Sequence, residues 1–97
     1  MMIRPEIANE LGILLAQLEA GDELQAAAQV RIIIEQVALT MDVASDSRLR
    51  RNRRLAKELD SLLTHVRNIG WLISDGQLES AAPTCRTLLA AWKVRLW

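Results

Sequence analysis

Residues 45–72 read SDSRLRRNRRLAKELDSLLTHVRNIGWL, a stretch that combines the most regular helical pattern of the chain with its densest positive charge. Apolar residues in its second part recur every three or four positions, as they do along one face of an α-helix. That face consists of Leu55, Leu59, Leu62, Leu63, Val66 and Ile69. We therefore predict an amphipathic helix that ends near Leu72 and packs against the rest of the chain.

The composition of the 97-residue chain favours helices over strands. Apolar residues make up 51% of it, mostly Leu, Ala, Ile and Val, whereas Phe and Tyr are absent and there are only four Gly and two Pro. Leu and Ala form helices readily, while strands prefer aromatic and β-branched residues. We predict an all-α protein, an antiparallel four-helix bundle made of two helical hairpins in one domain of residues 1–97.

The first hairpin is bounded by residues that start and stop helices. Pro5 suits the first turn of a helix, where its missing N–H costs nothing. Gly21 is expected to end that helix, and Asp22 is placed to cap the next one. The second helix then covers roughly residues 23–41.

Turn residues also delimit the second hairpin. Residues 41–47 are the predicted linker, with Ser45 or Asp46 capping the third helix. A turn at residues 74–76 separates the third and fourth helices. Pro83 leaves two alternatives for the fourth helix: it follows a separate first turn, or it lies in the first turn of the regular helix.

A weak internal repeat relates the two predicted hairpins. At an offset of 54 residues, four Leu and Ala positions of one hairpin align with the same residue types in the other. The pairs are Leu18 with Leu72, Leu24 with Leu78, Ala27 with Ala81 and Ala28 with Ala82. Such a repeat agrees with two stacked helical hairpins.

The second helix is apolar on two sides. The first stripe consists of Ala27, Val30, Ile34, Val37, Ala38 and Met41. The second stripe, on nearly the opposite side, consists of Ala28, Ile32 and Leu39. A helix that is apolar on two sides needs cover on both. We expect the first stripe to face the core and the second to contact a second copy or a partner protein; cover by a loop or a terminal segment is the alternative.

Three tryptophans are the only aromatic residues. Trp92 continues the apolar stripe of the fourth helix, so we predict that it lies in the core. Trp71 closes the third helix beside a turn, and Trp97 lies off the core stripe at the chain end. Exposed tryptophans are frequent anchors of protein interfaces, so both are candidate interface residues. The alternative is that they close the ends of the bundle.

The net charge of zero conceals a difference between the two halves of the chain. Residues 1–46 hold eight acids and two bases, a charge of −6, and residues 47–97 hold ten bases and four acids, a charge of +6. This split suits packing between the halves, association of two copies, or attraction of an acidic partner.

Much of the positive charge lies in a basic segment at the start of the third helix. Its cations are Arg48, Arg50, Arg51, Arg53, Arg54 and Lys57. Positive charge at a helix N-terminus opposes the helix dipole, and charges that project onto a core face need partners. We expect the segment to bind an acidic protein surface, which includes the −6 half of a second copy. Binding of nucleic-acid phosphates is the alternative, and a solvated charged face is the third possibility.

Residues with catalytic chemistry are few. His65 is the only histidine and Cys85 the only cysteine, so neither a zinc site nor a carboxylate-bridged metal site has enough ligands. Cys85 lies on an apolar stripe, where thiols behave as small hydrophobic groups. A histidine on a four-helix bundle suits phosphotransfer, and His65 is a remote candidate for it. We expect a protein that is not an enzyme and needs no cofactor or metal.

These patterns predict a small protein-interaction module, a regulator, adaptor or chaperone-like subunit that forms a homodimer. The candidate interface residues are Ala28, Ile32, Leu39, Trp71 and Trp97. A single cysteine and the lack of a long apolar run favour a cytoplasmic protein that does not enter a membrane. Nucleic-acid binding through residues 48–57 is the alternative function.

Overall fold

The computed structural model describes the backbone of residues 4–46 and 53–94 and the side chains of residues 5–41 and 56–93. These residues form four α-helices: α1 (Arg4–Glu19), α2 (Glu23–Asp46), α3 (Arg53–Ser74) and α4 (Leu78–Val94). The predicted all-α fold is confirmed for this part of the chain. Within these residues, every helix is too short or too polar to span a lipid bilayer.

The helices pack as an antiparallel bundle in which each helix has two neighbours. α1 contacts α2 and α4, and α3 contacts the same two helices. Three residues join α1 to α2 and three join α3 to α4, which makes each pair a helical hairpin. α4 also runs antiparallel to α1, because Lys93 lines a groove with Pro5 whereas Leu78 lines one with Ala20. The predicted bundle of two hairpins is confirmed.

Both hairpins reverse direction at a glycine with positive φ. Gly21 has a φ of 73° and Gly76 a φ of 75°, which glycine adopts readily because it has no Cβ. After α1, the Gly21 N–H donates to the Leu18 carbonyl at 3.1 Å and the Asp22 N–H to the Gln17 carbonyl at 3.0 Å, the two bonds of a Schellman motif. The equivalent bonds after α3 measure 3.0 and 2.8 Å. The predicted end of the first helix and the predicted turn before α4 are both confirmed.

α2 begins as predicted but ends later. Asp22 Oδ1 accepts a hydrogen bond from the Gln25 backbone N–H at 3.2 Å, which satisfies one free donor of the first turn. The helix then continues to Asp46 because no Gly or Pro after Met41 stops it. Ser45 and Asp46 consequently belong to α2 and do not cap α3. The predicted linker at residues 41–47 is wrong for all but its last residue, which lies outside the described residues.

Pro83 lies inside α4, which differs from both predicted alternatives. The helix begins at Leu78 and continues through Pro83 to Val94. Since proline has no N–H, the carbonyl of Glu79 four residues earlier lacks its usual intrahelical donor. Pro83 and Glu79 are both exposed to solvent, which lowers the cost of the missing bond.

One continuous apolar core lies between the four helices, and its positions in the two hairpins are equivalent at an offset of 55 residues. In α1 and α3 the equivalent buried pairs are Ile7 with Leu62, Ala8 with Leu63, Leu11 with Val66, Leu14 with Ile69 and Leu18 with Ile73. In α2 and α4 they are Ala26 with Ala81, Val30 with Cys85, Ile33 with Leu88 and Val37 with Trp92. Trp92 is therefore a core residue, as predicted.

The predicted repeat is off by one residue. The two turn glycines, Gly21 and Gly76, differ by 55 positions, like the buried pairs. An offset of 54 would place Gly21 opposite Asp75, which is not in the left-handed conformation. Matching Leu and Ala by type therefore found the repeat but missed its register.

The buried face of α2 is rotated from the predicted first stripe. It consists of Ala26, Gln29, Val30, Ile33, Val37 and Thr40. Ala38 of the predicted stripe is exposed, and Ala27, Ile34 and Met41 are half-buried at its edge. Because apolar residues occupy most of the circumference of α2, their spacing alone does not determine which side faces the core.

Gly12→Ala should stabilise the protein, whereas Gly21→Ala should destabilise it. A Cβ at Gly12, inside α1, would meet nothing within 4 Å, so alanine should add about 0.5–1 kcal/mol through its higher helix propensity. At Gly21 the positive φ strains any Cβ, at a cost of about 1–2 kcal/mol. Urea unfolding followed by circular dichroism measures both changes. Shifts of the same sign in the two variants would contradict the described turn and helix.

Candidate interaction surface

Large apolar side chains are exposed mainly on α2 and at one position of α3. On α2, Leu24 is 84%, Leu39 56% and Ile32 45% exposed, and on α3 Trp71 is 71% exposed. Ile13 of α1, at 40%, completes this set for the described side chains. The described part of α4 contributes none. The candidate surface is therefore formed by α2 and the neighbouring part of α3.

The outward face of α2, defined by Ala28, Ile32 and Leu39, is the predicted second stripe. All three side chains are exposed. They lie on the side of the helix away from the buried Val30 and Val37. Within residues 5–41 and 56–93, no loop or terminal segment covers this face.

Trp71 belongs to a different surface, the groove between α2 and α3. We call it the Trp71 groove; it has a volume of about 420 Å³. Its apolar lining consists of Ala27, Val30, Ile34, Gly70 and Trp71. Since each residue turns a helix by about 100°, Ala27 and Ile34 project about 120–160° away from Ile32 and Leu39. The predicted interface residues thus form two surfaces rather than one.

Gly70 lets α2 and α3 approach closely beside Trp71. A Cβ at position 70 would lie 3.2 Å from Val30 Cγ1, which is closer than an ordinary van der Waals contact. A Cβ at this position would require the Val30 side chain to shift by a few tenths of an ångström. Gly70 and Val30 both line the groove.

Three charged residues flank the Trp71 groove: Arg31 on α2, Arg67 on α3 and Asp75 in the turn after α3. Both arginines are exposed, and among the described residues neither has an ion-pair partner within 4.0 Å. Two positive charges against one negative charge give the groove a positive edge. Such a groove is complementary to a segment that combines an apolar side chain with a carboxylate.

The basic segment is only partly described. Outside the described residues are Arg48, Arg50, Arg51 and, at the chain end, Trp97. α3 begins at Arg53, so Arg53 and Arg54 are in its first turn, and Lys57 is exposed one turn later. No acid lies in that first turn. Each well-placed cation there opposes the helix dipole by about 0.3–1 kcal/mol at low salt.

His65 is exposed on α3, as expected for a residue off the core face. Its Nδ1 lies 2.7 Å from the Ser61 carbonyl oxygen, and because a carbonyl only accepts, Nδ1 donates in this contact. In the neutral ring Nε2 is then the unprotonated nitrogen. The imidazole lines a groove between α3 and α4 together with Glu58, Thr84 and Thr87.

Cys85 is buried against α1 rather than beside His65. Its Sγ lies 3.5 Å from the Leu11 carbonyl oxygen, to which the thiol donates a hydrogen bond. Burial raises the pKa of the Cys85 thiol to about 11, with a smaller lowering effect of Arg86 and a small raising effect of Glu19. The thiol is therefore protonated at neutral pH and does not form a nucleophile with the histidine.

Buried hydrogen bonds of α2 were missed in the sequence. Gln29 Nε2 donates to the backbone carbonyl of Glu10 at 3.1 Å and also to its carboxylate. Thr40 Oγ1 donates to the Gln36 carbonyl at 2.8 Å. The spacing within α2 does not mark Gln29 as buried, because apolar residues occupy most of the circumference of this helix. The Gln29 bonds link α1 to α2, and the Thr40 bond lies within α2.

The comparisons with known proteins assign no family. No family model matches the chain, and neither a curated protein nor a solved structure matches it. Among the described residues, no group of three or more His, Cys, Asp or Glu side chains is arranged to hold a metal ion. The exposed surfaces of α2 and α3 are therefore the basis for a functional proposal.

Cys85 should react slowly with iodoacetamide in the folded protein. A pKa of about 11 instead of 9.0 lowers the thiolate fraction at pH 8 by about 100-fold, and burial restricts access further. The alkylation rate at pH 8, followed by mass spectrometry, should rise by at least about 100-fold when the protein is unfolded in urea. Equally fast labelling of the folded and unfolded chain would show that the thiol is not held against α1.

Proposed function

We propose that this protein is a small protein-interaction module, a regulator, adaptor or chaperone-like subunit, which forms a homodimer and binds a partner protein through the outward face of α2. The observation that carries the proposal is the exposure of Ile32 and Leu39 on a helix whose other side is fully buried. Clustered exposed apolar side chains are typical of interaction sites.

Burial of the outward face of α2 against a partner protein would be energetically favourable. Full burial of a Leu or Ile side chain contributes about 1.5–3 kcal/mol. Ile32 and Leu39 are each about half exposed, so their burial contributes roughly 2 kcal/mol together. Ala28 is small, which allows a partner to approach the α2 backbone closely.

The start of α3, which holds Arg53 and Arg54 of the basic segment, lies near one end of this face. Val30 packs against Gly70 in an antiparallel helix pair, so Leu39 is at the end of α2 that adjoins the start of α3. An acidic partner that covers Leu39 would therefore reach the start of α3, where the described part of the basic segment lies. Complementary charge raises the association rate and the specificity more than the affinity. We assign the steering to the basic segment and the apolar contact to the outward face of α2.

The proposed role requires no catalysis, cofactor or metal, and we place it in the cytoplasm. The protonated thiol of Cys85 supports a role without nucleophilic chemistry. The same cysteine is free and buried, which fits a reducing compartment.

Nucleic-acid binding through residues 48–57 is the alternative function. The segment has six cations in ten residues, which suits phosphate contacts. A gel shift with a salt titration tests it. Submicromolar binding that falls steeply with salt, and that is lost in a variant with Arg50, Arg51, Arg53 and Arg54 changed to Ala, would replace the protein-interaction proposal.

Phosphotransfer on His65 is the remaining candidate, and the exposure of its ring, with Nδ1 directed to the Ser61 carbonyl oxygen, supports it. Incubation with a phosphorylated response regulator or a small-molecule phosphate donor tests it. A phosphate that His65 acquires, and that His65→Gln does not, would establish this function. No transfer from either donor would remove it.

Ile32→Glu combined with Leu39→Glu should abolish partner binding without unfolding the bundle. Each carboxylate is solvated in the free protein but would be desolvated against an apolar partner. In affinity purification from its own cells, the wild-type chain should retain a partner that the double variant loses by at least about tenfold. Ile13→Glu changes an exposed apolar residue of α1 and is the matched control. If the double variant and the Ile13→Glu control retain the same amount of partner, whether high or low, the assignment of the binding surface to α2 is contradicted.

Sedimentation velocity at micromolar concentration should show a homodimer, twice the 10.9 kDa of the chain. A domain of this size buries only roughly two thirds of its unfolded surface by itself, so a second copy adds stability. The sedimentation coefficient should fall towards that of the monomer on dilution. A 10.9 kDa species at every concentration would rule out the homodimer.

A further inference from the structure

We infer that the contact between two copies of this chain is reciprocal, with Leu24 of each copy inserted into the Trp71 groove of the other. The inference rests on the proposed homodimer and specifies which surface forms it. It leaves the outward face of α2, which contains Ile32 and Leu39, free for a partner protein.

Leu24 is the large apolar side chain with the least cover in the described part of the chain, at 84% exposure. The fold does not require a leucine there, because the equivalent position of the second hairpin, 55 residues later, is the exposed Glu79. The fold does not require a tryptophan at position 71 either, because the equivalent position of the first hairpin is the exposed Ala16. Both side chains are therefore large and apolar for a reason outside the packing of the bundle.

The residue next to Leu24 is acidic and complements the positive edge of the Trp71 groove. Glu23 precedes it, is exposed, and has no ion-pair partner within 4.0 Å among the described residues. Asp22 is already engaged as the cap of α2. The groove presents Arg31 and Arg67 at its edge. An apolar side chain with an adjacent carboxylate thus meets an apolar groove with adjacent guanidinium groups.

The positions of Leu24 and the groove allow a symmetric dimer. Leu24 lies three residues before Ala27, which lines the groove, and projects about 60° from it around α2. Two α2 helices that cross in antiparallel directions at Ala27 bring Leu24 of each copy beside the groove of the other. The small side chain of Ala27 permits close approach of the helices. Such a two-fold contact uses the same residues twice and closes the assembly at two copies.

The same crossing pairs opposite charges twice. Glu23 and Arg31 are eight residues apart on α2, on either side of Ala27. In the antiparallel arrangement Glu23 of one copy faces Arg31 of the other, and the reverse pair forms at the second site. Asp75 lies at the opposite, turn end of the groove and leaves the arginine edge available.

Leu24→Ala and Trp71→Ala should each raise the dissociation constant of the homodimer by at least about tenfold, measured by sedimentation across a dilution series. Both side chains are exposed in the monomer, so helicity should stay at the wild-type value, and the urea midpoint should match that of the wild-type chain diluted until it is monomeric. Ile13→Ala is the matched control and should keep the wild-type dissociation constant. Loss of the dimer on Leu39→Ala, with none on Leu24→Ala or Trp71→Ala, would overturn the inference and leave the homodimer itself intact.

Charge reversal tests the pairing directly. Glu23→Arg and Arg31→Glu each place like charges opposite one another at both contacts, so either variant alone should dimerise at least about tenfold more weakly. An equal mixture of the two variants restores opposite charges at both contacts and should form a heterodimer close to the wild-type affinity. A mixture no more associated than its components would overturn the inference.

The outcomes separate this inference from the proposed function. A wild-type chain that is monomeric at all concentrations overturns both the homodimer and the groove contact. A wild-type dimer that is insensitive to the Leu24, Trp71 and charge-reversal variants overturns the groove contact alone.

Discussion

The reversal of the chain at Gly21 and Gly76 is the constraint on which the rest of the structure depends. Each hairpin turns within three residues, so the last buried residue of one helix and the first buried residue of the next are separated by a constant length. That length is eight positions in both hairpins, from Leu18 to Ala26 and from Ile73 to Ala81. The turn therefore sets the rotation of α2 and α4 about their own axes.

This constraint explains which features were predictable from the sequence. α3 has one clear apolar face, and glycine marks the turn in both hairpins, so the four-helix fold, the two hairpins and the buried Trp92 were predicted correctly. α2 is apolar around most of its circumference, so its own pattern did not reveal its rotation. The burial of Gln29 follows from the rotation that the turn imposes, and no local signal in α2 specifies it. The late end of α2 was missed because polar residues suggested a linker where no helix breaker occurs.

The candidate surfaces were predictable only in part, for a related reason. Ala28, Ile32 and Leu39 are exposed because they lie opposite the buried face, and the sequence pattern showed that opposition. Leu24 and the Trp71 groove depend on how α2 and α3 pack side by side, which no spacing within one helix contains. α2 consequently has three roles on three arcs: one faces the core, one borders the groove, and one faces outward. If the groove and the outward face bind as we propose, each arc needs apolar residues for a different neighbour, which would explain why the sequence of α2 is apolar nearly all round.

The equivalence of the two hairpins raises the question of which hairpins pair. The first hairpins of two different chains have similar buried faces, so the apolar pattern alone would allow them to pack on each other. Their side-chain volumes differ, however, because Val37 corresponds to Trp92. A core of two first hairpins would contain a void at this level, and a core of two second hairpins would be overfilled, both of which close-packed interiors disfavour. One tryptophan matched to one valine thus encodes by size that a first hairpin packs on a second hairpin rather than on another first hairpin.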